Sequence, residues 1–231
     1  MKLSIIIPCI NEAELLPALL SHIKSFCGNP VELIVVDAFS NDSTKSIALE
    51  YGALVFDSSI ARRSIQMDTG AKLATGDMLL FMHADSVPPK NFYNDILASV
   101  SSGSKMGCFR LKFSPSHKFL KFFEIFVGLP WLICRGGDQG LFISASFYKE
   151  IGGFDKSLFI MEDIDIIRRG VKKSKFEILR SRMKTSSRAY AKYGYYKLQF
   201  AFSMVHLAYW LGLDSEVIKI KLKNYLENGR V

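Results

Sequence analysis

The chain has 231 residues (26.0 kDa), a formal net charge of +8 at pH 7, 49% hydrophobic residues and 23% charged ones. That length suits one large domain with a full core rather than two joined by a linker, and the composition excludes wholesale disorder and argues against a membrane bundle. The positive charge favours anionic partners, which include nucleic acid, lipid headgroups and the diphosphate of a small substrate, without choosing among them.

The first half alternates short β-branched runs with helical stretches, the pattern of βαβ units around a mostly parallel sheet. Residues 3–8 read as a buried strand, followed by a helix over 12–26 capped by Asn11, with Pro17 tolerable near its first turn. A second strand spans 31–37. Asp42 or Ser43 then caps a helix that ends at Gly52, and 53–57 forms a third strand. Residues 62–74 read as a helix closed by Gly76, and 78–82 as a fourth strand running into His83-Ala84-Asp85. Asp37, Asp57 and Asp85 therefore stand at or just past strand carboxyl ends, where open α/β sheets bind ligands.

Past Pro88-Pro89 the pattern gives a helix to 101, a strand over 106–113 and an aromatic segment over 119–134. A glycine-rich loop over 136–140, a short strand over 141–144 and a short helix over 147–151 follow. Residues 162–172 read as helical, 176–183 as extended, and 190 onward as mostly helical with a break near Gly212. No internal repeat or low-complexity segment is visible.

Cys9, Cys27, Cys108 and Cys134 are far apart and lack zinc-ligand spacing, so they read as reduced core residues. The apolar stretch 3–7 is too short for a signal-peptide core, and no run reaches the roughly 18 apolar residues of a membrane span. The expectation is a cytoplasmic protein.

Several side chains have chemistry in reach. Asp85 sits at a strand-to-loop edge, where one carboxylate plus substrate phosphates can hold Mg²⁺ or Mn²⁺, or where it caps the next helix. Asp37 can accept hydrogen bonds from a base or ribose, or open an Asx turn. Glu162-Asp163 begins a helix, whose N-terminus favours ionised carboxylates; one can serve as a general base, or both as a capping pair. Arg63 and Gln66 share a helix face that can hold phosphate or base, or face solvent.

In chain order, these segments resemble family 2 glycosyltransferases of the GT-A fold. Pro8-Cys-Ile-Asn11-Glu12 is similar to the family's P-x-x-N-E, and Val36-Asp37-Ala-Phe-Ser40-Asn-Asp42-Ser-Thr44 to its V-D-x-x-S-x-D-x-T. Arg63-Ser-Ile-Gln66-Met67 through Gly70-Ala71 resembles its R-x-x-Q-M-N-x-G-A helix, with Asp68 in place of Asn. His83-Ala84-Asp85 stands where most members carry D-x-D, and Gly137-Asp138-Gln139, Gly152-Gly153-Phe154 and Met161-Glu162-Asp163-Ile164-Asp165 with Arg168-Arg169 complete the set. The likeness covers nearly the whole chain and is greatest to a small bacterial-type branch pairing R-x-x-Q-M with H-A-D.

The resemblance implies a Rossmann-like, mostly parallel mixed sheet over 1–188, with a nucleotide half near 1–87, an acceptor half near 88–188 and a helical extension over 189–231. It implies a nucleotide diphosphate sugar donor, UDP-type, held by Pro8, Glu12, Asp37, Arg63 and Gln66. A divalent metal would sit on Asp85, with His83 as second ligand favouring Mn²⁺ over Mg²⁺ or bonding the ribose instead. Asp163, beside Glu162, would be the base of an inverting transfer to an acceptor hydroxyl, and weak at an ordinary carboxyl pKa of about 3.9. Asp138, Gln139 and Arg188 would position donor and acceptor.

Three alternatives accompany this reading: a non-catalytic nucleotide-sugar binder, a peripheral membrane-surface protein acting on a lipid-linked acceptor, and a homodimer formed through the aromatic segments. A nucleic-acid partner is not expected, because no zinc-finger, RNP-type or helix-turn-helix pattern is present.

Overall fold

The computed structural model describes residues 1–26 and 30–227, so Cys27 lies outside the described residues. Strands β1 (Leu3–Cys9) and β2 (Val31–Asp37) are apolar and buried along most of their length, as parallel strands covered on both faces must be. They pair in parallel with Cys9 opposite Asp37, and β3 (Leu54–Asp57) extends the sheet with Asp57 opposite Asp37. Helices α1 (Leu16–Phe26) and α2 (Thr44–Glu50) make the crossovers.

Helix α3 (Arg63–Leu73) then carries the chain back past β1 to β4 (Met78–Phe81), which pairs in parallel on the other side of β1. The connections leaving β1 and entering β4 thus run to opposite sides. The crevice at their carboxyl ends is a topological switch point, where open α/β sheets take ligands.

The second half completes a mixed sheet. Its elements are β5 (Ser86–Val87), α4 (Phe92–Ser101), β6 (Met106–Ser114), α5 (Lys118–Phe126), β7 (Leu141–Ser144), α6 (Ala145–Glu150), α7 (Glu162–Gly170) and β8 (Phe176–Ser186). The strand order is β3-β2-β1-β4-β7-β6-β8-β5; β7 runs antiparallel to β4 and β6, β5 runs antiparallel to β8, and β6 and β8 are parallel. Helices α8 (Arg188–Tyr193), α9 (Tyr195–Trp210) and α10 (Ser215–Glu227) follow.

Two apolar layers sandwich the sheet. Leu16, Leu20 and Ile23 of α1 and Phe92 and Ile96 of α4 pack on one face with Ile5, Ile7 and Val35. Met67 of α3, Phe147 of α6 and Ile166 and Ile167 of α7 pack on the other with Ile6, Val36 and Phe81. Gly70 lets α3 approach β1 closely, since a Cβ there would lie 2.5 Å from Cγ2 of Ile6.

Several expected boundaries move for visible reasons. Helix α1 begins at Leu16 rather than near 12, and Asn11 does not cap it. Instead Asn11 adopts a left-handed backbone (φ 53°), and its side-chain oxygen accepts the Asn41 N–H at 2.8 Å, tying the loop after β1 to the loop after β2. Strand β8 continues past 183 because Thr185 pairs with both Ser86 and Phe113. The C-terminal helices break at Gly194 (φ 89°) as well as at Gly212 (φ 75°).

Candidate active site

At the β1–β2 end, two loops are bound to each other. The backbone N–H groups of Asn11, Glu12 and Ala13 donate to side chains of Ser40, Thr44 and Asp42 at 2.8, 2.9 and 3.1 Å. Asp37 is fully buried and its carboxylate accepts from the N–H of Ser40, three residues on, at 3.0 Å and from the Ser40 hydroxyl. Lys45 lies 3.9 Å from Asp37 and 2.6 Å from the exposed Asp57. Pro8 is half-buried near the end of β1.

Gln66 does not face solvent. Its side-chain N–H groups donate to the carbonyls of Cys9 at 3.0 Å and Val36 at 2.8 Å, so its amide nitrogen staples the ends of β1 and β2. Arg63, at the start of the same helix, points elsewhere: its guanidinium is half-exposed and stands 3.7 Å from the buried Glu162. Removal from water works against the Arg63 charge, but Glu162, Asp163, Asp138 and Asp85 together hold its pKa above the ordinary value.

Three segments converge near this arginine: the residues after β4, the turn at Gly137–Gln139 and the start of α7. After β4, His83 presents Nδ1 to Asp138 Oδ1 at 2.9 Å, and single ligand atoms of His83, Asp85 and Asp138 all lie within 4.8 Å of one another. Burial pushes the Asp138 carboxyl up, but the His83 hydrogen bond and the charges of His83 and Arg63 outweigh it and leave the carboxyl below the usual range. His83 Nε2 is buried without a hydrogen-bond partner. A cluster of one imidazole and two carboxylates, with an unsatisfied ring nitrogen, suits a divalent cation of the Mn²⁺ or Mg²⁺ type; the imidazole suits Mn²⁺ better.

Asp163 reaches the same place from the first turn of α7. The turn at Gly137–Gln139 crosses directly over it: a Cβ on Gly137 would lie 2.4 Å from Asp163 Oδ2 and 2.7 Å from His83 Nε2. Burial, and then the neighbouring charge of Glu162, push the Asp163 carboxyl up to about 7, against the opposing pull of His83 and Arg63. Desolvation thus sets the Asp163 carboxyl apart from the free carboxylate that its residue type suggests. The residue before this pair, Met161, has φ 69°, a conformation costing about 1–3 kcal/mol for a residue with a side chain, and it sets the start of α7.

Glu12 and Arg188 bridge the two sides of the crevice at 3.3 Å. Burial raises the Glu12 carboxyl; Arg188 pulls it down and Asp85 pushes it up, which places Glu12 within the field of the His83 and Asp85 cluster. Gln139 turns inward. Its oxygen lies 3.4 Å from the Arg135 guanidinium and its N–H donates to the Cys134 carbonyl at 3.1 Å. Thus Arg63, His83, Asp85, Asp138, Glu162 and Asp163 gather, Glu12 and Arg188 flank them, and Asp37, Gln66 and Gln139 serve the surrounding backbone.

Two supports were given no role of their own from the sequence. Arg135, buried, donates to the carbonyls of Val127 and Leu129 at 2.8 and 2.5 Å and fixes the loop after α5. Asp165, buried one turn into α7, bonds Arg168 and Arg169, and Arg169 donates to the carbonyls of Ile151 and Gly153. The spacing of Asp165 and Arg169 at i, i+4 was a signal for the second; nothing in the sequence marks the first. Cys9 and Cys108 are buried free thiols, with Cys108 pushed up to about 11 by burial, and Cys134 is half-buried.

Residues 4–133 match the family model described as Glycosyl transferase family 2. The chain belongs to this family. A PGL/p-HBAD biosynthesis glycosyltransferase of Mycobacterium bovis (strain BCG / Pasteur 1173P2) is 40% identical over 89 residues, 36% of this chain and 34% of that protein. The alignment thus spans about a third of that curated relative. Among solved structures, mannosyltransferase PcManGT from Pyrobaculum calidifontis in complex with GDP-Man and Mn²⁺ is similar with a TM-score of 0.69 at 19% identity, covering 90% of this chain and 62% of that one. S. aureus TarS 1-349 in complex with UDP-GlcNAc gives 0.66 at 18%, covering 80% and 58%. These likenesses show the fold, a mixed α/β sheet of GT-A type; in this chain the C-terminal helices α9 and α10 follow it.

Proposed function

We propose that the chain is an inverting, divalent-metal-dependent glycosyltransferase that moves a sugar from a nucleotide diphosphate sugar, UDP-type, to an acceptor hydroxyl. One observation carries the reading: a buried carboxyl, Asp163, lies beside the cluster of His83, Asp85 and Asp138 at the switch point of the sheet. A carboxylate so placed can take a proton from a hydroxyl brought to the cluster. Relatives solved with GDP-Man and Mn²⁺ and with UDP-GlcNAc support the donor class.

In this reading Asp163 accepts the acceptor O–H proton as that oxygen bonds to the anomeric carbon. The carbon–oxygen bond to the diphosphate breaks on the opposite side, and the nucleoside diphosphate leaves with the electron pair. Single displacement inverts the anomeric centre. His83, Asp85 and Asp138 would hold Mn²⁺ or Mg²⁺, which supplies positive charge to the departing diphosphate. Arg63 and Arg188 add fixed positive charge at the crevice, and Arg63 also restrains Glu162. Pro8 and Glu12 line the nucleotide end, whose loops and strand ends Asp37 and Gln66 hold in place from beneath.

Residues 1–188 act as the catalytic core and 189–231 as an extension on the acceptor side. Among the described residues no helix is long and apolar enough to cross a membrane. Phe200, Leu207 and Leu211 of the α9 region are exposed, as is Lys192 just before them, a pairing of apolar and cationic groups that suits an anionic lipid surface. In flotation with phosphatidylglycerol vesicles at low salt the protein should rise with the lipid, and no binding to these anionic vesicles would remove the lipid contact.

The function is tested by incubating the protein with radiolabelled UDP- and GDP-sugars and Mn²⁺ and following release of the nucleoside diphosphate. Turnover of one donor, reduced at least 10²-fold in Asp163→Asn, is the expected result. Equal turnover by the variant would contradict the assignment.

A further inference from the structure

A cleft of about 490 Å³, within the range of sites that enclose small organic ligands, about 300–1,000 Å³, reaches the polar cluster at Arg63, His83 and Asp138. Asp163 lies directly behind Gly137, which also lines this floor, whereas Pro8, Glu12 and Asp37 do not line the cleft. The cleft therefore leads away from the nucleotide end. Its walls are apolar: Leu111 and Phe113 of β6, Phe126 of α5, Trp131 in the following loop, Tyr190 of α8 and Phe202 of α9.

Polar side chains on the α9 wall are few and mostly engaged. The Gln199 oxygen accepts the Tyr190 hydroxyl at 2.9 Å, and the Ser203 hydroxyl donates to the Gln199 carbonyl at 3.0 Å. His206 Nδ1 alone is buried without a partner. A polyhydroxylated acceptor would leave most of its hydroxyls unpaired against these apolar walls. A molecule with one hydroxyl and an apolar body would leave none, and would gain about fourfold in affinity per buried methylene. The cleft is also held open in advance, because Arg135 pins the loop carrying Trp131 through the Val127 and Leu129 carbonyls.

We infer that the acceptor of this enzyme is an amphiphile: a hydroxyl delivered at the cleft floor beside Gly137 and His83, against which Asp163 packs, carried on an alkyl or aryl body that fills the cleft between β6, α5 and α9. The inference rests on the transferase reading above and specifies its acceptor class. Trp131 and Phe202 become specificity residues, setting acceptor KM without touching the donor.

The test reads the two claims separately. In a Trp210→Phe background, so that Trp131 alone reports, intrinsic fluorescence is titrated with butan-1-ol, hexan-1-ol and octan-1-ol, and with glycerol and glucose. The same preparations are melted with UDP or GDP and Mn²⁺. Saturable binding of the alcohols that tightens about fourfold per methylene, with no saturation by glycerol or glucose, is expected. Phe202→Ala should weaken octan-1-ol binding about tenfold and leave the nucleotide-induced rise in Tm unchanged. Octan-1-ol should also accept sugar from the donor that is turned over. A nucleotide-induced rise with no saturable alcohol binding, or with glycerol or glucose binding as tightly as octan-1-ol, overturns the inference and leaves the transferase standing. Alcohol binding with no response to any nucleotide overturns the transferase reading, and the acceptor role falls with it.

Discussion

Replacing Gly137 by Ala perturbs the centre of the site by one methyl group, with Gly136→Ala as a matched control one residue away. The added Cβ at 137 would lie 2.4 Å from Asp163 Oδ2 and 2.7 Å from His83 Cε1 and Nε2, whereas at 136 nothing lies within 4 Å and the backbone is extended (φ −174°). Relieving the contacts at 137 requires the carboxylate and imidazole to shift by several tenths of an ångström or the turn to lift. Overpacking of this kind costs about 1–3 kcal/mol, and about 2–4 °C of Tm per kcal/mol in a protein of this size. A displacement approaching 1 Å at reacting groups costs on the order of 10²-fold in rate. Nucleoside diphosphate release and thermal melting of both variants provide the assay. Gly137→Ala should lose about 10²-fold in kcat and several degrees in Tm, while Gly136→Ala stays within about twofold of wild type in rate. Equal activity in the two variants would refute the juxtaposition of Asp163 and His83 beneath the turn.

Two further outcomes follow from the same geometry. With chelator present, Asp163 is protonated in the folded protein up to about pH 7 but ionises near pH 4 when unfolded, so the folded state binds more protons in that window and stability falls as pH rises through it. Asp163→Asn should therefore melt above wild type at pH 8 and match it at pH 4; the ceiling is about 4 kcal/mol, from a shift of about three units. Parallel melting curves across that range would show that the carboxyl is not desolvated. Gln66→Leu strips the side-chain donor from the buried carbonyls of Cys9 and Val36 and should cost about 1–3 kcal/mol per carbonyl left unsatisfied, read by urea unfolding.

The nucleotide half was legible because its signals are local. Apolar strand runs, glycine stops and the polar residues at strand ends all lie within a few residues of one another, and β2 keeps the limits expected for it. The second half was less so, since β6, β7 and β8 are joined by pairings between distant segments and β8 lengthens only because β5 and β6 extend beside it. Asn11 looked like a helix cap because its residue type fits one, yet a partner thirty residues away claims its side chain. Gln66 shows the same limit: helical spacing put it on a face with Arg63, but burial against two strand ends decides which way it points.

The residue types of the candidate site could be read, but their electrostatics could not. Asp163 looked like a plain carboxylate at a helix start, and only its burial beneath Gly137 and beside Glu162 raises it to about 7. Arg135 carried no pattern at all. Its role depends on carbonyls that a loop presents only after folding.

The central claim is that the His83, Asp85 and Asp138 cluster with Asp163 serves a nucleotide sugar and a metal. Melting of wild type and Asp85→Ala with UDP, GDP and their sugars, with and without Mn²⁺ or Mg²⁺, tests it most directly. The account predicts a metal-dependent rise in Tm for one nucleotide, about 3 kcal/mol of stabilisation at a hundredfold excess over Kd, lost in the variant. A rise that needs no metal and persists in Asp85→Ala, or no rise for any nucleotide, would contradict it.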